Sequence, residues 1–150
     1  KNKELIYPPP IVKDMGQRIA HQRMLERVWS YMIEDNMEAN TQDLFAHYLK
    51  YYSRTCDQRT MAQVLLRSGM FRRVGWESKG KRIPDSSNMT ANDLYTMLGI
   101  STSTLVAVWK PKSLAEIIKP YVEGKSTIKS LKNMPKFIRQ RVQEKKEASQ

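Results

Sequence analysis

Arg59, Gln63 and Arg67 stand four residues apart in a segment that reads as one helix. Residues at that spacing share a helix face. Guanidinium and carboxamide heads meet guanine and adenine edges through paired hydrogen bonds, so such a row has the chemistry to read bases in a duplex groove. Arg54, Gln58 and Thr60 flank the row with donors suited to phosphate oxygens. Asp57 is a fitting N-cap and sets the helix N-terminus, with its free N–H groups, beside the same face. Further along, Arg72 and Arg73 precede Lys79, Lys81 and Arg82, cations spaced to clamp a sugar–phosphate backbone.

Nothing comparable points to catalysis. His21 and His47 fall in different helices with no carboxylate or cysteine motif beside them, and His47, between aromatic neighbours, reads as structural. Cys56 is the one cysteine, which excludes an internal disulfide framework and a cysteine-rich zinc site. Arg54 and Arg59 beside it are expected to lower its pKa, but no base accompanies it. Glu34, Asp35 and Glu38 cluster at a helix end as solvated charge. There is no Walker A string, no G-x-G-x-x-G and no H-E-x-x-H. A non-enzymatic chain is expected, with no catalytic residue, no metal site and no cofactor.

The charge distribution sharpens this. The 150 residues carry 26 Lys+Arg against 15 Asp+Glu, a formal net charge of +11. Residues 1–53 are balanced, residues 54–83 carry +6, residues 84–124 carry −1, and residues 125–150 carry +6. Solubility alone needs no such segregation, and an anionic partner, above all nucleic acid, is the natural expectation. The longest apolar run, Leu105 to Trp109, is too short to span a bilayer, and no secretory signal opens the chain, so no membrane partner is expected. The expected location is intracellular and reducing, in cytoplasm or nucleoid. The chain starts at Lys1, as a processed or excised piece would.

The elements that must position these residues follow from periodicity. Residues 1–12 read as an extended lead-in whose Tyr7-Pro8-Pro9-Pro10 run favours polyproline II. An amphipathic helix is predicted over Lys13–Ile33, and a second over Gln42–Tyr52 with Thr41 as its N-cap. The third runs from the Asp57 cap to Ser68 and stops at Gly69, with Met61, Val64, Leu65 and Ser68 inward. Met70–Trp76 and Lys81–Ile83 form a hairpin, and Asp85–Met89 is the best internal boundary. Thr90 opens a helix to Leu98, a further helix is expected over Thr102–Trp109, and the Ser113–Glu116 pair opens another to Val122. Pro135 heads a last helix, Lys136–Glu147.

The order helix, helix, short turn, helix, basic hairpin resembles the winged-helix branch of the helix-turn-helix nucleic-acid-binding superfamily over residues 13–84. A weaker likeness is to the C-terminal winged-helix segment of phage- and plasmid-type replication proteins. It rests on the stretch from Met61 to Phe71, on Arg72-Arg73 and on Gly80-Lys81-Arg82. The resemblance implies that the third helix enters the major groove and that the hairpin touches the backbone or the minor groove. The expected class is mainly α: a winged-helix-like core of three helices and a small β-hairpin, a short helical unit over 90–123, and a basic tail helix over 125–150.

The stretch Thr90–Leu105 is similar to phage repressor and resolvase helix-turn-helix units, but its second helix lacks Lys and Arg. Packing or docking of a protein partner through 90–123 is the expected role. The tail offers Lys125, Lys129, Lys132, Lys136, Arg139 and Arg141 to nucleic acid over a narrow apolar stripe of Phe137, Ile138 and Val142. Three readings stand. The first is a duplex-DNA-binding protein of phage or mobile-element replication, recombination or transcription control. The second is a structural RNA-binding subunit of a ribonucleoprotein such as an organelle ribosome, then in the mitochondrial matrix. The third is a winged-helix protein–protein adaptor.

Overall fold

The computed structural model describes residues 8–125 and 131–148, with side chains from Ile19 onward. Two compact units emerge: Val28–Ser113, and the described parts of Lys1–Arg27 and Leu114–Gln150. The first helix, α1 (Pro8–Ile33), runs through the division. It begins on three consecutive prolines, where polyproline II was expected. Proline is tolerated in a first helical turn because its missing N–H is one that the helix leaves unpaired anyway, and its fixed φ is already helical. The rest of the expected lead-in, Lys1–Tyr7, lies outside the described residues.

The Val28–Ser113 unit holds a sheet. In chain order it contains β1 (Ala39–Asn40), α2 (Thr41–Tyr51), α3 (Gln58–Ser68), β2 (Phe71–Ser78), β3 (Lys81–Ile83), α4 (Ala91–Leu98), a single 3-10 turn at Thr102–Thr104, and β4 (Leu105–Pro111). The strands lie in the order β1-β4-β2-β3, each pair antiparallel. The chain is therefore mixed α/β rather than mainly α.

The decisive departure is β4. Thr102–Trp109, expected as a helix, forms the 3-10 turn and then a central strand. The run Leu105-Val106-Ala107-Val108-Trp109 has β-branched residues and no helical alternation of polar positions, and a strand paired on both sides buries such a run readily. Ala107, Val108 and Trp109 are all buried. Consequently 90–123 is not a separate helical unit, and the hairpin is not a free wing, because β4 pairs with β2 from Phe71↔Pro111 to Ser78↔Leu105. Nor is Asp85–Met89 a boundary. It closes back on the hairpin: Ser86 is buried, donates to the Ile83 carbonyl and accepts from the Trp76 N–H, and the Trp76 indole donates to the Met89 carbonyl at 2.7 Å.

Two caps hold the helices near the predicted positions. Asp57 caps α3 through the Thr60 N–H, and Gly69 ends it at φ +74°. Thr90 and Asp93 form a reciprocal capping box on α4. The α2 cap is displaced by one residue: Asn40 accepts from Asp43 N–H, which leaves Thr41 inside the first turn and buried. Its hydroxyl donates to the Ala107 carbonyl and accepts the Trp109 indole N–H at 2.8 Å.

The hairpin turn is Lys79-Gly80, both at positive φ (52° and 80°). A two-residue turn of that kind matches the strand twist and prefers Asn-Gly, whereas lysine is strained there. Lys79→Asn is expected to raise stability by about 0.5–1 kcal/mol, seen as a higher denaturant midpoint at unchanged m-value.

In the other unit, α5 (Leu114–Val122) and α6 (Lys136–Ala148) bury Ile117, Ile118, Tyr121, Ile138 and Val142, together with Met24 and Leu25 of α1. Gln22 of α1 donates to the Lys132 carbonyl. Lys136–Ala148 is thus a packed helix rather than a loose arm, since Ile138 and Val142, one turn apart, are 0% and 1% exposed. Ile138→Ala is expected to cost about 2–5 kcal/mol, read as a lowered denaturant midpoint, whereas a solvated tail helix would show no change.

Candidate nucleic-acid interface

Beside the sheet of the Val28–Ser113 unit lies a groove of about 720 Å3. Its floor is the face of β2 and β4 that carries Arg73, Trp76, Leu105, Ala107 and Trp109. One wall is α3, through Gln58, Arg59, Ala62, Gln63 and Leu66. Thr102 and Ser103 of the 3-10 turn and Ala91 at the start of α4 complete the lining. No Asp or Glu lines it. The turn is held by Ser78 Oγ against Thr104 Oγ1 at 2.8 Å, and by Thr104 donating its N–H and hydroxyl to the Ser101 carbonyl.

The helical period explains which α3 residues face this space. Met61 and Leu65 are buried against the unit's core. Gln58, Ala62 and Leu66, four apart, turn to the groove with Arg59 and Gln63 beside them. Arg67 is exposed and is not among the lining residues. The predicted row is therefore divided: Arg59 and Gln63 border the groove, and Arg67 stands on open helix surface. Val64, expected inward, is only half-buried.

Arg73 is the least ordinary cation of the unit. It is half-buried, its guanidinium lies over the Trp76 ring at 4.8 Å, and Nη2 reaches the Met89 carbonyl at 3.4 Å. Its Nε is buried with no hydrogen-bond partner among the described residues. No carboxylate pairs with it there, and burial lowers its pKa from the usual arginine value. A desolvated donor without a partner costs free energy. Arg72, the preceding residue on the strand, is exposed, and the register sets Lys110 directly opposite it.

The other predicted contacts divide into open and engaged side chains. Lys79 and Lys81 are exposed at the hairpin turn. Arg54 is exposed, with Nε donating to the Cys56 carbonyl at 3.4 Å. Arg82 is a correction to the clamp. Nη1 pairs with Glu38 at 3.2 Å, Nη2 donates to the Val74 carbonyl at 2.9 Å, and the guanidinium covers Gly75, where a Cβ would lie 2.6 Å from its Nε. Gly75 thus permits a close approach, and Arg82 braces the irregularity that the β2–β4 register shows between Arg73 and Gly75. In the helical unit Lys132, Lys136, Arg139 and Arg141 are exposed on or beside α6, Arg141 pairing with Glu144 and Lys125 with Glu123. Lys129 lies outside the described residues.

Sequence reasoning missed Thr102, Ser103 and Leu105 as groove residues because a helix there would have pointed them elsewhere. It also misjudged Cys56. Burial raises its pKa first and the Asp57 carboxylate next, against the smaller lowering by Arg54, so the thiol stays protonated at neutral pH. His47 stacks on Tyr31 at 3.7 Å and tilts against Tyr51. Tyr95, Met97 and Leu98 of α4 are exposed. Among the described residues no group of three His, Cys, Asp or Glu is placed to hold a metal ion, and no helix is long and apolar enough to cross a membrane. Compared with family models, with curated proteins and with solved structures, the chain finds no match in any of the three.

Asp57 links α3 to pH. The Thr60 backbone N–H, then the Thr60 side chain, hold its carboxyl below the ordinary value of 3.8, with smaller help from Arg54 and Arg59. A lowered folded-state pKa gives stability that is present above the ordinary value and lost as pH falls through the folded one. Asn caps nearly as well without ionising. Asp57→Asn is therefore expected to unfold at a similar temperature at neutral pH, and to show a smaller fall than wild type on acidification below about pH 4, the ordinary carboxyl range.

Proposed function

We propose that this chain acts by binding nucleic acid rather than by catalysis, with duplex DNA as the principal class and α3 as its recognition element. The observation that carries the reading is the groove side of α3. Gln58, Arg59 and Gln63 line the groove together with the half-buried Arg73, and no Asp or Glu is among the lining residues. Arg54, Arg67, Lys79 and Lys81 extend the cationic surface with exposed side chains. The order α2, turn, α3, hairpin, which underlies the winged-helix resemblance, supports the same reading. In it the hairpin serves through its turn, since one flank of β2 is occupied by β4.

A second reading, an RNA-binding subunit of a ribonucleoprotein, is favoured by one observation. α6 is fixed by Ile138 and Val142 and keeps Lys136, Arg139 and Lys145 exposed on different sides of a packed helix, cations suited to a phosphate backbone.

Anisotropy titrations of the full chain with duplex DNA and with structured RNA, over a salt series, test both. With five cations on phosphate (Arg54, Arg59, Arg67, Lys79, Lys81), log K is expected to fall against log salt with a slope of about −4.5. Arg59→Ala with Arg67→Ala should weaken duplex binding at least about tenfold and flatten that slope by about 2. Arg82→Gln should lower stability and leave the slope unchanged. Salt-independent or absent duplex binding refutes the first reading. Tighter RNA binding abolished by Lys136→Glu with Lys145→Glu establishes the second.

A further inference from the structure

Thr102 and Ser103 line the same groove as Arg59 and Gln63, a space of about 720 Å3. That volume lies within the range that encloses a small organic ligand. Its chemistry suits one nucleotide. Arg73 and Arg59 bring positive charge to a lining that has no Asp or Glu, Gln58 and Gln63 offer paired donors and acceptors, and Leu66, Leu105 and Ala107 supply apolar surface. Leu66 is 53% exposed, so this wall already presents uncovered hydrocarbon to whatever enters.

We propose that the groove receives a single unpaired nucleotide of the bound nucleic acid, its phosphate on Arg73 and Arg59 and its base against the apolar floor and the carboxamides of Gln58 and Gln63. The proposal deepens the α3 reading and uses the same side chains: Arg59 and Gln63 serve the duplex face and the groove mouth together. An unpaired nucleotide enters at lower cost than a paired one, because no stacking or pairing is broken. A base held on apolar surface gains stacking-like contact irrespective of its identity, so the preference concerns unpaired structure more than sequence. The 3-10 turn contributes Thr102 and Ser103 to the lining. Its own tether is the Ser78–Thr104 hydroxyl contact.

The test compares three probes with the full chain: a fully paired duplex, the same duplex carrying one extrahelical 2-aminopurine, and a short single strand. The expected result is binding to the bulged duplex about tenfold tighter than to the paired one, with a change in 2-aminopurine fluorescence as the base leaves the stack. Ala62→Phe fills the groove from α3 without removing a cation or a core residue, and should abolish the preference and the fluorescence change, lowering affinity for the bulged duplex more than for the paired one. Arg73→Lys, which keeps the charge but not the guanidinium plane over Trp76, should reduce the preference in part. Equal affinity for paired and bulged duplex overturns the proposal and leaves the duplex reading intact. So does a preference that survives Ala62→Phe with the variant folded by circular dichroism. Binding of the single strand alone, blocked by Ala62→Phe, upholds the groove and removes the duplex reading. No binding to any probe removes both.

Discussion

One buried hydroxyl fixes the arrangement on which the candidate site depends. Thr41 accepts the Trp109 indole N–H and donates to the Ala107 carbonyl, so a single side chain joins the first turn of α2 to the middle of β4. The adjacent Asn40 pairs with Val108, caps α2 through Asp43, and donates to Glu77 of β2 at 2.7 Å. Two consecutive residues thereby align a helix start with two strands. An unpaired indole N–H in that interior would carry a desolvation cost of about 1–3 kcal/mol. The hydroxyl is thus a condition for burying so large a ring rather than an addition to it. With β4 in place, the 3-10 turn just before it lines the same groove as α3.

Local chemistry was legible where the signal was local. The Asp57 cap and Gly69 stop bracket α3 as the sequence implied, and the Thr90–Asp93 box opens α4. The α6 stripe of Ile138 and Val142 was visible too, though not that both would be fully buried. What escaped was decided by distant partners. Leu105-Val106-Ala107-Val108-Trp109 is apolar enough for a buried helix or a buried strand, and only pairing with Arg73–Ser78 on one side and Ala39–Asn40 on the other selects the strand. The opening prolines were misread for a different reason. The rule against proline in helices applies to interiors, and Pro8–Pro10 occupy a first turn.

The candidate site shows the same division. Residue types and helical spacing identified Gln58, Arg59 and Gln63, since a helix face is a property of sequence. Strand alternation with the irregularity next to Val74 sets Arg73 on the groove side, and no spacing rule shows whether a cation there will find an anion. Arg82 was indistinguishable in sequence from Lys81, yet it braces a main-chain carbonyl and Glu38 across Gly75. A net charge counts such residues equally. The fold separates those that hold the sheet from those that face solvent.

The outermost strands of the sheet are brief: two residues in β1 and three in β3, the latter carrying Lys81 and Arg82. Edges this short present few unpaired main-chain groups, and charge along an edge disfavours the approach of a second sheet. Sheet-to-sheet growth, the usual route by which exposed strands template assembly, has little to build on here. A chain with such edges can therefore be held at high concentration without its sheets joining edge to edge.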